Sequence, residues 1–345
     1  MAARSRRVAA LLAVLPTWGA LASGAPTGEP DALRSQPALG LETAVAQALR
    51  SPEPVWVGYT VAALPRDGAS CCWDHDCCDL ELDEVTALAA GAEHAGDLLV
   101  LLRFADRALD RARFVDAACR PSFGGRRALW AGEVTANESL TLLGAWVDGS
   151  SDAGRAPIRR GRELLPAIAY HDGTEATRRL AAWAADSQRP DLAKDAVFWL
   201  GTARREEGYA SLLALLASRP ATEILKAVAF ALHQSPVAAA EGTLAELAAG
   251  DPLPEVRREA LFWLGQSGAA HAETIYAAAL ADPDEGVARH AVFVLGQLPE
   301  PEGVEQLVRV LTQDRRPALR REALFWIAQS DSDQALDIVD RILSE

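Results

Sequence analysis

One octet constrains this chain more than any other stretch: Glu259-Ala260-Leu261-Phe262-Trp263-Leu264-Gly265-Gln266. It returns as Glu322-Ala323-Leu324-Phe325-Trp326-Ile327-Ala328-Gln329, and more loosely as His290-Ala291-Val292-Phe293-Val294-Leu295-Gly296-Gln297. Asp195 to Gly201 and Ala227 to His233 hold the same register. The phenylalanines stand at 198, 230, 262, 293 and 325, in steps of 32, 32, 31 and 32. A degenerate copy, Glu163 to Ala169, puts Pro166 one step before Phe198. A fixed period of this length means stacked units, each too small to bury its apolar face alone.

Each unit reads as two helices. The first carries the octet. The second is amphipathic, as in Glu302 to Leu311, where Val304, Leu307, Val308 and Leu311 share a face. Helix stops stand between units at Arg189-Pro190, Arg219-Pro220, Asp251-Pro252, Asp282-Pro283 and Arg316-Pro317. The repeat core is expected at Phe198, Phe230, Phe262, Phe293 and Phe325.

On these residues, the segment from about 160 to 345 resembles the HEAT-repeat family, in the short variety of about 32 residues named for phycobilin lyases. The resemblance implies an α-solenoid of about six helix pairs over 161–345, with an extended surface for a protein or peptide partner. It implies no activity of its own, because one fold hosts many functions. Deoxyhypusine hydroxylase is similarly built from such repeats and holds iron with His-Glu pairs. None of the six histidines here is followed by Glu. A nucleophile elbow, a P-loop and a dinucleotide fingerprint are also missing, so no enzyme is expected.

The chain opens like an export signal. Arg4, Arg6 and Arg7 precede an apolar run from Val8, and Ala20-Leu21-Ala22 offers a cleavage site before Ser23. The expected order is a signal peptide (1–22), a Pro/Gly leader (23–40), a small α+β domain (41–148), a linker (149–160) and the solenoid (161–345). The fold class is thus mainly α. Within the small domain a helix is expected over Leu41 to Arg50. Strands are expected over Val55–Val61, Leu98–Phe104, Arg113–Ala118 and Arg127–Val134, with Gly124-Gly125 joining the last two. Thr135 and Glu138 have capping-box spacing ahead of a helix through Leu140, Leu143 and Trp146. The formal net charge of −14 excludes the basic footprint that phosphate contacts need, so nucleic acid is not an expected partner. The signal and composition point to a periplasmic or extracellular place in a bacterial envelope, with no stable membrane insertion after cleavage.

Two constellations stand apart from the core pattern. Cys71, Cys72, Cys77 and Cys78 flank His75 within eight residues, and Cys119 stands alone. In an oxidising compartment such a loop is expected to be pinned by disulfides, with bridges between the doublets or out to Cys119. The alternative is a zinc or copper site using Cys72, His75 and Cys77, which would make the chain a metal-binding or thiol-redox protein. No other cofactor is expected. The second constellation is a column of cations, Arg162, Lys194, Lys226, Arg258, Arg289 and Arg321, each four residues before the motif's Phe position. It is expected to be a structural ladder paired with carboxylates of its own or the next unit. The other reading is a stripe for an acidic partner. Trp199, Trp263 and Trp326 follow the Phe and are expected to pack between the paired helices, or else to face a groove. The function expected from all of this is an exported, non-enzymatic binding or scaffold protein.

Overall fold

The computed structural model describes residues 33–65, 96–117, 121, 123, 125–149 and 161–330. The expected signal peptide, most of the leader, the cysteine loop with His75, Cys119, Gly124 and the stretch from 150 to 160 lie outside these residues. So does the chain after 330.

The N-terminal part is a four-stranded sheet with two helices. Helix α1 (Leu41–Arg50) buries Leu41, Ala44, Val45 and Ala48, spaced as one helical face. Strands β1 (Val55–Ala62), β2 (Asp97–Ala105), β3 (Ala108–Asp116) and β4 (Ala128–Glu133) lie in the order β3-β2-β1-β4. The central strands β1 and β2 are buried on both faces, which is why they read as almost unbroken apolar runs. One face packs on the main core. The other holds Trp56, Leu99, Leu101, Val115 and Trp130 under Leu33 and Phe123.

Two expectations need correcting here. The hairpin is β2–β3, turned at Asp106 and Arg107, whose φ values of 50° and 61° are those of a tight two-residue turn. Arg127–Val134 does not pair with β3; β4 runs parallel to β1 on the far side of the sheet. β3 also begins at Ala108, earlier than expected. It is an edge strand, and its outward Asp110 and Arg111 disguise the alternation. The capping box forms as expected: Glu138 N–H donates to Thr135 Oγ1 at 3.3 Å, and Thr135 N–H donates to Glu138 Oε2 at 3.0 Å. It opens α2 (Ala136–Gly149).

From Leu165 onward the chain is helix pairs. They are α3 (Leu165–Tyr170) with α4 (Thr174–Ala184), α5 (Pro190–Ala203) with α6 (Arg205–Ser218), and α7 (Thr222–His233) with α8 (Ala238–Gly250). Then come α9 (Pro254–Gln266) with α10 (Ala272–Ala281), α11 (Glu285–Leu295) with α12 (Glu302–Gln313), and α13 (Pro317–Gln329). Pro190, Pro254 and Pro317 start their helices at the first turn, where a missing N–H costs nothing.

The sheet caps the first unit of this solenoid, and one core runs through both. Past the end of β1, Leu64 N–H donates to the Tyr170 carbonyl at 2.8 Å, and Asp172 N–H donates to the Ala62 carbonyl at 3.1 Å. A buried polar chain crosses the same junction. His171 Nδ1–H donates to the Ala167 carbonyl at 2.7 Å, so Nε2 accepts from Ser139 Oγ at 2.7 Å. Ser139 Oγ in turn accepts from the Tyr59 hydroxyl at 2.7 Å.

Candidate functional site: the motif face of the solenoid

The octet helices α5, α7, α9, α11 and α13 lie side by side, and neighbours among them pack more closely than neighbours among their partner helices. Small residues cause this. A Cβ on Gly201 would come within 2.4 Å of the Ala231 carbonyl oxygen, and one on Gly265 within 2.3 Å of Val294 Cγ1. The solenoid therefore curves toward the octet helices, and their outer face is the concave one. The contact obeys a rule: the residue after each Phe packs on the residue three past the Phe of the preceding unit. In α7 that place is His233, whose ring stacks on Trp263 at 5.2 Å.

Trp199, Trp263 and Trp326 are half-buried against the core, and they pack between successive units rather than between the two helices of one. Trp199 lies edge-on to Tyr170 of the preceding unit at 6.0 Å. In the units where the Trp is replaced, Ala231 and Val294 take the same place, over Gly201 and Gly265.

The expected Phe core is wrong. The buried stripe is Ala196, Val197 and Leu200 in α5, Val228, Ala229 and Leu232 in α7, and Ala260, Leu261 and Leu264 in α9. Ala291, Val292 and Leu295 continue it in α11. A residue next to that stripe is turned about 100° away from its neighbour. Phe198, Phe230, Phe262 and Phe293 are accordingly half-buried on the concave face, and Phe325 is 54% exposed. They form an aromatic row. Phe198 stacks on Phe230 at 5.7 Å, Phe230 meets Trp263 at 4.5 Å, and Phe293 meets Trp326 at 5.5 Å.

The cation column lies one helical turn before this row. Arg162 makes a two-pronged bond to Asp195, and Arg289 Nε donates to Glu322 at 3.0 Å. Lys226 reaches Glu223 at 3.5 Å and Glu259 at 3.9 Å. These partners in the next unit all stand one residue after the column. Where that place is Ala227, Lys194 turns instead to Asp191 of its own helix at 3.6 Å. Where it is His290, Arg258 makes no ion pair among the described residues, and neither does Arg321. The pairing holds the hydrogen-bonded arginines Arg162 and Arg289 above the usual guanidinium range.

Three features were not anticipated. One turn beyond the Phe row stand Gln234, Gln266, Gln297 and Gln329, all exposed, with no side-chain hydrogen bond to the described residues. Their signal was in plain view, four residues after Phe230, Phe262, Phe293 and Phe325; after Phe198 that place is Thr202. A second, deeper ladder sits at the turns. Arg219 bonds to Asp251 at 2.5 Å, and Arg257 to Asp282 at 2.7 and 2.9 Å. Asp251 and Asp282 each also accept a backbone N–H two residues on. Burial pushes the Asp251 and Asp282 carboxyls up, but these donors outweigh it and hold them below the usual range. Its signal was the Asp-Pro turn itself. The third is Arg204, buried, with its guanidinium on the carbonyls of Ala169, His171 and Gly173 at 3.1, 2.7 and 2.6 Å, closing the first unit's turn.

Other clusters are committed to structure. Ser139 and His171 have the spacing of a nucleophile and base but are sealed from solvent. A cleft of ≈ 480 Å³ is lined by Asp148, Arg178, Arg179, Trp183, Asp186 and Arg189. Its guanidiniums are already bound to Glu175 or Asp186, and Trp183 Nε1 to Asp148. The cysteine candidates lie outside the described residues.

The concave face of helix-pair repeats is thus what the chain displays. Residues 272–345 match the family model for HEAT repeats. No curated protein matches the chain. The HEAT match covers the units of Phe293 and Phe325, and the same register and inter-unit contacts run back through Phe198.

Proposed function

We propose that this chain is an exported, non-enzymatic binding or scaffold protein whose HEAT-like solenoid takes a protein or peptide partner on its concave face. The observation that carries this is the row of half-buried aromatic rings from Phe198 to Phe293 that ends on the exposed Phe325. A core position does not leave a phenylalanine 54% exposed, and clustered surface aromatics are typical of recognition surfaces. HEAT repeats commonly serve protein–protein interaction, which fits. The N-terminal sheet then acts as the cap that a solenoid end requires. Export rests on the signal-like start, and sequencing of secreted protein should begin near Ser23.

A photo-crosslinking amino acid tests the binding face. Placed at Gln266 on the concave side, it should capture a discrete partner from envelope extract. Placed at the exposed Glu246 of α8, it should not. Equal capture from both faces, or none from either, would overturn the proposal.

A further inference from the structure

We infer that the concave face binds an acidic polypeptide segment in extended conformation, read one unit per three residues. The inference rests on the binding function proposed above and names the partner's chemistry. Arg258, Phe262 and Gln266 stand one turn apart on α9, and Arg289, Phe293 and Gln297 repeat the triplet on α11. The units of α7, α9, α11 and α13 therefore offer a cation, an aromatic ring and a free amide in the same order across the face, about 6 Å apart.

Packed helices lie about 8–10 Å apart, so each row repeats at about that distance along the solenoid. A polyproline II chain advances about 3.1 Å per residue, so three residues cover about 9 Å. Such a chain laid over the Phe row presents one side chain to each cation and one to each ring. Its backbone carries no internal hydrogen bonds, which matches a line of amides able both to donate and to accept.

Charge decides which extended chain. The protein is acidic as a whole, at −14, yet the cations of this row are not all taken up by ion pairs. Arg258 and Arg321 have no ion pair among the described residues. Lys194 and Lys226 have only long contacts of 3.5 to 3.9 Å, and Arg289 remains 59% exposed beside Glu322. Exposed pairs of this kind contribute little and exchange readily. The acidic Asp191, Glu223, Glu255 and Glu285 lie a further turn away from the rings, on the far side of the cations. A carboxylate at every third residue of the partner fits the row; a lysine there does not.

The test uses the full chain and three fluorescent peptides: (Pro-Ala-Glu)6, (Pro-Ala-Lys)6, and a shuffled peptide with the composition of the first. The periodic acidic peptide should bind at least about tenfold more tightly than either control, and added salt should weaken it. The double variant Gln266→Ala/Gln297→Ala should weaken binding at least about fivefold with the melting temperature unchanged, because those amides hold nothing in the fold. Arg258→Gln should act likewise. Equal binding of the lysine or shuffled peptide, an unaffected amide variant, or no binding of the acidic peptide would each overturn the inference. Capture by crosslinker at Gln266 without acidic-peptide binding would leave the binding function standing and remove only this chemistry. Failure of both would remove both.

Discussion

The indole of Trp326 lies on Gly296 of the preceding unit, so close that an added Cβ would come within 2.7 Å of the ring. Gly296→Val should therefore destabilise the fold by about 1–3 kcal/mol through overpacking. Combined with Trp326→Ala, the same change should cost less than the sum of the two single variants, because the clash disappears with the ring. A double-mutant cycle by urea denaturation measures this directly. Strict additivity would show that the two residues do not touch.

The stripe beside the phenylalanines carries the core. Leu261 is fully buried, whereas Phe262, its neighbour, is half-exposed. Leu261→Ala should cost about 2–5 kcal/mol as a large-to-small core change. Phe262→Ala should cost clearly less, despite removing the larger side chain. The reverse order in chemical denaturation would restore Phe262 to the core.

The period, the helix pairs and the cap at Thr135 were legible because each rests on local spacing. The face of the octet was not. Ala260, Leu261, Phe262, Trp263 and Leu264 are all apolar, so a run of five covers more than one full turn and leaves the inward direction undetermined. What settles it is the neighbouring unit: Gly265 and Gly296 bring the next helix against one flank and leave the Phe flank open. The β1–β4 pairing was equally hidden, since a parallel partner can come from anywhere along the chain. The cation column could be read as a ladder because its acidic partners recur one residue later. Its gaps at Ala227 and His290 were visible in the sequence but had no meaning until the units were stacked.

His171 gives the junction between sheet and solenoid its own pH response. Burial holds its imidazole down to about 4, reinforced by the nearby Arg204 guanidinium against the hydrogen bond to Ala167. The unfolded chain binds this proton near the ordinary value of 6.5, the folded chain only near 4. Stability should thus rise with pH across that window, by about 3 kcal/mol in total, and be level in this respect above it. The carboxylates of Asp251 and Asp282, held low by their arginines, lose their contribution only below their ordinary value of 3.8. The two windows separate the groups. His171→Asn should flatten the slope between pH 4 and 6.5 while leaving the acid limb in place; an unchanged slope would assign it elsewhere.

The last prediction concerns the cysteines, through the described residues that bracket them. Strands β1 and β2 are antiparallel neighbours, with Ala62 opposite Asp97 and Ala63 N–H donating to the Gly96 carbonyl at 2.7 Å. The connection containing Cys71, Cys72, Cys77 and Cys78 thus leaves and re-enters the sheet at one end. Ala117 N–H donates to the Asp97 carbonyl at 3.0 Å, so the segment leading to Cys119 departs from that same end. A bridge from the loop to Cys119 would tie β1, β2 and β3 together where they meet, and closures of this kind contribute about 2–4 kcal/mol by restricting the unfolded chain. With five cysteines, mass spectrometry of the unreduced protein should find one free thiol and no metal, with Cys119 among the bridged residues. Reduction should then loosen the sheet and leave the helical signal of the repeats largely intact, and His75→Ala should be nearly silent. On the metal alternative the outcomes invert: four or five free thiols accompany stoichiometric zinc, His75→Ala releases it, and a chelator destabilises the sheet. That result would replace a bridged loop with a metal site and reopen the thiol chemistry of this chain.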